Sequence, residues 1–183
     1  RRLKYTFDPN SIFNPGKIVD TPPMDTSLRY EENQETRQFD TLYNFDKDQG
    51  ILRAAERCNG CGECIKLPGS GGTMCPSYMA TRNENDTTRA RANMLRDFLT
   101  NSTQVNKFNH KEIYETMDLC LSCKGCSSEC PSNVDITALK AEFLHQYYKD
   151  NGIPLRTKAI ANIGKLSKLA MLFPTLSNFS LSN

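Results

Sequence analysis

The residues of this sequence that can do chemistry are its eight cysteines, because their spacing is far from random. Cys58, Cys61, Cys64 and Cys75 form one group, and Cys120, Cys123, Cys126 and Cys130 form another. No cysteine lies outside them. The second group reads CLSCKGCSSECP, three cysteines at every third position followed by a fourth and a proline. The first reads CNGCGECIKLPGSGGTMCP, with the same triplet and closing Cys-Pro but a longer insertion before the last cysteine. Thiols in such runs form disulfides, bind zinc or bind iron–sulfur clusters.

The spacing discriminates among these chemistries. A disulfide framework belongs to short secreted chains, and the start Arg-Arg-Leu-Lys-Tyr has no apolar secretory stretch. Structural zinc takes paired cysteines or cysteine with histidine, and neither His110 nor His145 stands at ligand spacing. A triplet with one cysteine in three, then a remote Cys-Pro, is the ligand run of two-cluster [4Fe–4S] proteins, where the fourth cysteine serves the other cluster. By that logic the ligands cross. Cys58, Cys61 and Cys64 share one cluster with Cys130, and Cys120, Cys123 and Cys126 share another with Cys75. A [3Fe–4S] centre at one site, zinc and disulfides stay open as alternatives at this point.

The elements that must position these ligands are helical. In residues 51–150, Asp86-Thr87-Thr88 reads as a helix start, with Ala90, Met94 and Phe98 as an apolar face flanked by Leu95 and Leu99. Asn109 with Glu112 resembles a capping box ahead of Ile113 and Met117, a short helix that runs into Cys120. After Pro131, Ser132 or Asn133 caps a third helix with the face Ile136, Leu139, Phe143 and Tyr147. Helix, cysteine loop, helix, twice over, predicts a mainly α module rather than a β-rich ferredoxin. Residues 1–50, with Pro9, Pro15, Pro22 and Pro23, predict an extended N-terminal arm. Residues 151–183 contain no acidic residue. Leu155, Ala159, Ile163, Leu166, Ala170 and Phe173 predict an amphipathic helix ended by Pro174, with Lys158, Lys165 and Lys168 opposite. Its stripe packs on protein or, as the alternative, lies on a membrane surface.

Composition narrows the rest. A formal charge of +2 gives no prior for nucleic acid, and no stretch is long and apolar enough to span a bilayer. Gly69-Ser70-Gly71-Gly72 lacks the Lys-Ser/Thr of a phosphate loop and reads as slack that lets Cys75 reach its cluster. Arg82, Arg89, Arg91 and Arg96 are solvated helix faces or, in the sharper reading, offset cluster charge. No catalytic set can be assembled: there is no Ser/His/Asp group, no Cys/His pair and no paired carboxylate.

FDPNSIFNPGKIV, from Phe7 to Val19, resembles the C-terminal end of FAD-linked oxidases of the vanillyl-alcohol-oxidase type. RCNGCGECIK, GTMCPSYMATRNENDTTRARANMLR and LCLSCKGCSSECPSNVDITALKAEF resemble the α-helical ferredoxin-like dicluster module fused behind that domain in FAD-dependent D-2-hydroxyacid dehydrogenases, of the lactate, glycolate and 2-hydroxyglutarate kind. Some members of that family have a small apolar residue at the middle of the first triplet; Cys61 is present here and implies a complete cluster. The resemblance implies an electron-transfer module that passes electrons from FAD, held in a domain before Arg1, to a downstream acceptor. It divides the chain into the oxidase tail and linker (1–50), the dicluster module (51–150) and the truncated start of a following domain (151–183). Partners are then the FAD-linked oxidase domain and the acceptor, without nucleic acid and with peripheral membrane contact as an option. The expected place is the cytoplasm, including the inner face of the membrane. The rival functions are a dicluster adaptor for a separate quinone- or disulfide-reducing partner, and a structural zinc module.

Overall fold

Helices and two short 3-10 turns are the regular structure found among the described residues of the computed structural model, which are 1–30 and 32–182; no strand occurs among them. The mainly α expectation therefore holds. The chain forms two compact units, Arg1–Thr36 and Arg37–Asn183.

The first unit is mostly irregular, as its prolines dictate, apart from α1 (Arg2–Phe7). Asp8 orders the residues just after this helix. Its buried carboxylate accepts the backbone N–H groups of Ile12 (2.8 Å) and Phe13 (2.9 Å) and pairs with Lys4 (2.5 Å). The Lys4 bond comes first among the influences that hold this carboxyl below the usual range.

In the second unit, α2 (Ile51–Glu56), α4 (Thr88–Asn101), α5 (Lys111–Asp118) and α7 (Ile136–Asn151) enclose one apolar core. The short helix α3 (Pro76–Thr81) follows Cys75, and α6 (Gly125–Glu129) carries Cys126 and ends at Cys130. Thr87 caps α4, its hydroxyl accepting the Ala90 N–H at 3.0 Å. The buried face of α4 is Thr88, Arg91, Ala92, Leu95 and Leu99, whereas Ala90, Met94 and Phe98 are only half-buried. The face is thus rotated from its expected position. Arg91 can occupy the core because its guanidinium reaches the Thr116 carbonyl (2.9 Å), the Asp86 carbonyl (2.5 Å) and the Ser77 hydroxyl (3.2 Å). A hydropathy stripe cannot register such a buried cation.

Ile113 and Met117 of α5 are fully buried, as expected, but the capping box does not form. His110 stands at the N-cap but its side chain makes no capping bond, and Asn109 accepts instead from Asn151 (2.7 Å). On α7, Ile136, Leu139 and Phe143 are buried and Tyr147 stacks on Tyr114 with centroids 5.0 Å apart. Its cap is Asp135, which accepts the Ala138 N–H at 3.1 Å, rather than Ser132 or Asn133. The buried Glu142 of α7 accepts the N–H groups of Leu42 (2.9 Å) and Tyr43 (3.0 Å), fastening residues 42–43 to the helix.

Where one C-terminal helix was expected, three occur: α8 (Leu155–Ala161), α9 (Ile163–Leu172) and α10 (Pro174–Ser182). Pro174 opens the last of these instead of ending the run, a position where a missing N–H costs nothing. Leu155, Ile163 and Phe173 of the expected stripe are exposed. No described helix is long and apolar enough to cross a membrane.

Candidate metal centres

Two loops present the cysteine triplets with the same backbone rhythm. In each, the second and fourth residues after the first cysteine have positive φ: Gly60 (77°) and Gly62 (81°) in one, Ser122 (52°) and Lys124 (61°) in the other. A left-handed residue ahead of each later cysteine turns the chain back on itself, so that three side chains converge within seven residues. Glycine adopts this geometry freely; Ser122 and Lys124 hold it against steric cost.

The fold gathers the eight sulfurs into two groups. Cys75, Cys120, Cys123 and Cys126 line one cavity, together with Thr88, Arg91 and Lys124. The Cys58 pKa is raised mainly by burial and further by the like charge of Cys64, Cys130 and Cys61. In each group, three members come from one loop and the fourth from the other segment. The groups meet at Cys64 and Cys75, whose mutual interaction lowers the Cys64 pKa to about 6 and raises that of Cys75. Neither histidine joins a group; His110 bonds the Ser102 hydroxyl at 2.7 Å. Among the described residues, no three His, Cys, Asp or Glu side chains are close enough to hold a single metal ion.

Delivery of the fourth cysteine in the long insertion depends on residues that spacing did not single out. Glu129 accepts the Thr73 N–H (2.6 Å), the Thr73 hydroxyl (2.8 Å) and the Met74 N–H (3.2 Å), and pairs with Lys66 (3.3 Å). These donors, Thr73 first, lower its pKa to about 2. The segment before Cys75 is therefore tied to the end of α6, just before Cys130. Gly125 lets the second loop lie against the same segment: a Cβ there would stand 3.2 Å from the Met74 backbone. Gly72, with φ of 80°, approaches the Glu129 carboxylate too closely for any side chain. The glycine run, expected as slack, is anchored at its end. The one available sequence signal was the acidic residue abutting Cys130.

Donors aim at the sulfurs. The Thr88 N–H lies 3.1 Å from Cys75 Sγ and the Thr88 hydroxyl 3.0 Å from it. Burial raises the Cys126 pKa and the N–H groups of Ile136 and Thr137 oppose that rise; the Arg89 N–H likewise favours the Cys64 thiolate. Cys75 is the N-cap of α3, left-handed at φ 57°, with Pro76 beginning the helix. Four thiols around one cavity, with backbone N–H groups directed at the sulfurs, suit a thiolate-ligated cluster, which needs such bonds to spread its negative charge.

Residues 57–135 match the family described as 4Fe-4S dicluster domain. D-2-hydroxyglutarate dehydrogenase of Escherichia coli (strain K12) is 28% identical over 100% of this chain and 21% of its own length. The enzyme of the same name from Haemophilus influenzae is 28% identical over 89% of this chain and 19% of its own length. The glycolate oxidase iron-sulfur subunit of Escherichia coli (strain K12) is 30% identical over 61% of this chain and 22% of its own length. The chain thus spans about a fifth of the curated relatives it matches. No solved structure matches it.

Proposed function

With residues 57–135 forming a 4Fe-4S dicluster domain, we propose that this chain is the electron-transfer module of an FAD-dependent 2-hydroxyacid dehydrogenase. It carries two [4Fe–4S] clusters and passes electrons from a flavin to a downstream acceptor. One cluster is held by Cys58, Cys61, Cys64 and Cys130, the other by Cys120, Cys123, Cys126 and Cys75. The observation that carries this reading is the crossed gathering of thiols, a triplet from one loop meeting a fourth cysteine from the other segment. A flavin takes two electrons together, whereas each cluster takes one, so two adjacent sites allow stepwise removal.

The chain's own residues bind and orient. The loops supply thiolates, the amino ends of α4 and α7 supply N–H groups to sulfur, and Glu129 holds the Cys75 segment in place. Residues 1–50 serve as tail and linker of the flavin domain, 51–150 as the module, and 151–183 as the start of a further domain. The substrate is a 2-hydroxy acid bound in the flavin domain. The reading puts the module in the cytoplasm, where a reducing environment keeps thiols free, with α8 and α9 as the part able to touch an anionic membrane face.

A second reading rests on one comparison: the relative from glycolate oxidase is by name a separate iron-sulfur subunit. A flavin domain encoded in the same reading frame decides for fusion. Anaerobic reconstitution with iron and sulfide analysis tests the cluster assignment. About eight irons per chain are expected, and fewer than about four overturn the two-cluster reading.

A further inference from the structure

The two cysteine groups differ in the charges around them. Each cation near the first group is matched by a carboxylate: Arg57 by Asp48 at 2.9 Å, Lys66 by Glu129 at 3.3 Å, and Arg89 by Glu84 at 2.7 Å. The side-chain donor at Cys58 is neutral and distant, Asn93 Nδ2 at 3.8 Å, while the Arg89 N–H and the Thr87 side chain favour the Cys64 thiolate. Around the second group two lysines stand outside any ion pair among the described residues. Arg91, fully buried and 3.4 Å from Asp86, lines the cavity with Lys124. The half-buried Lys140 Nζ donates to the Cys120 carbonyl at 2.7 Å and to the Asp118 carbonyl at 3.4 Å. Among the described residues, neither Lys124 nor Lys140 has a carboxylate within ion-pair distance. Asp118 acts on Lys140 only at longer range. The opposing charges are Asp86 (held by Arg91), Asp118, and Asp135, which stands near Cys126 with an oxygen engaged by the Ala138 N–H at 3.1 Å. Thr88 adds a hydroxyl and an N–H at Cys75, both within 3.1 Å of its sulfur.

Reduction adds one negative charge to a cluster, so uncompensated cations and hydrogen bonds to sulfur favour the reduced form. We propose that the Cys75, Cys120, Cys123 and Cys126 site has the higher reduction potential of the two, with Lys140 and Thr88 as its positioning and tuning residues. An electron arriving at the first site then moves to the second. One centre is oxidised by one electron, the other is reduced by one, and no bond or proton is exchanged. The module acquires a direction, from the loop of Cys58–Cys64 towards the loop of Cys120–Cys126.

This inference rests on the two-cluster reading, and the test separates the two. The 183-residue chain is reconstituted anaerobically, its iron counted, and both midpoints are read by EPR-monitored titration. About eight irons uphold the two-cluster reading whatever the midpoints do. Lys140→Met removes the charge while keeping most of the stem, and Thr88→Val removes the hydroxyl while keeping the shape. Each is expected to lower the higher midpoint, by about threefold in the ratio of reduced to oxidised centre at fixed potential, and to leave the lower one in place. A fall in the lower midpoint alone, equal shifts in both, or no shift with either variant overturns the proposal. If one variant fails to bind iron, the other decides.

Discussion

The two cysteine loops make the same turn by different means. Gly60 and Gly62 adopt positive φ without penalty, whereas Ser122 and Lys124 adopt it at a steric cost, next to Gly125, which lies against Met74. The first loop is shaped by its own residues; the second by its neighbour. Their fourth partners show the reverse dependence. Cys130 follows its loop through one short helix, α6, while Cys75 ends an 11-residue excursion from Cys64 that must be tied down by Glu129. Under the proposed crossing, neither site forms alone: each loop would complete the other's ligand set and so couple cluster binding to folding.

The largest way to break this symmetry is Gly125→Val. Its side chain would meet Met74 backbone atoms 3.2 Å from the Cβ, and overpacking of this kind costs about 1–3 kcal/mol. The expected result is loss of about half the iron, from the Cys75 and Cys120–Cys126 site, read by iron analysis and EPR. Next comes Glu129→Ala, which releases the Thr73 and Met74 amides. The same site is expected to lose iron to a chelator several-fold faster, at roughly unchanged first-site occupancy, measured by the decay of the two EPR signals. Smaller still, and of opposite sign between the loops, are changes at the left-handed positions. Gly60→Ala is expected to cost about 1 kcal/mol, whereas Ser122→Gly leaves stability equal or higher by about 0.5 kcal/mol. Anaerobic urea midpoints check both. The smallest effect is expected from removing residues 155–182, whose helices α8 and α9 bury no residue. Iron content and both midpoints should stay as they were.

The range of each interaction decides whether sequence revealed it or hid it. The match to a dicluster domain over residues 57–135 was legible because such cysteine runs are close in sequence, and the Ile113, Met117, Ile136, Leu139 and Phe143 faces were legible because burial follows helical periodicity. The α4 face was misread because Arg91 is buried through bonds to Thr116, Ser77 and Asp86, partners up to 25 residues away. The caps were misread because Asn109 bonds Asn151 across the fold rather than its own helix. Glu129 escaped notice because its partners, Thr73 and Met74, lie more than 50 residues away.

The crossing of ligands is the centre of this account, and single-cysteine variants test it most directly. Cys75→Ala, Cys123→Ala and Cys61→Ala are each reconstituted anaerobically and reduced, and the EPR signal that remains is recorded. The account predicts that Cys75→Ala leaves the same cluster signal as Cys123→Ala. A signal in Cys75→Ala that instead coincides with that of Cys61→Ala would put Cys75 with its own triplet and contradict the crossing.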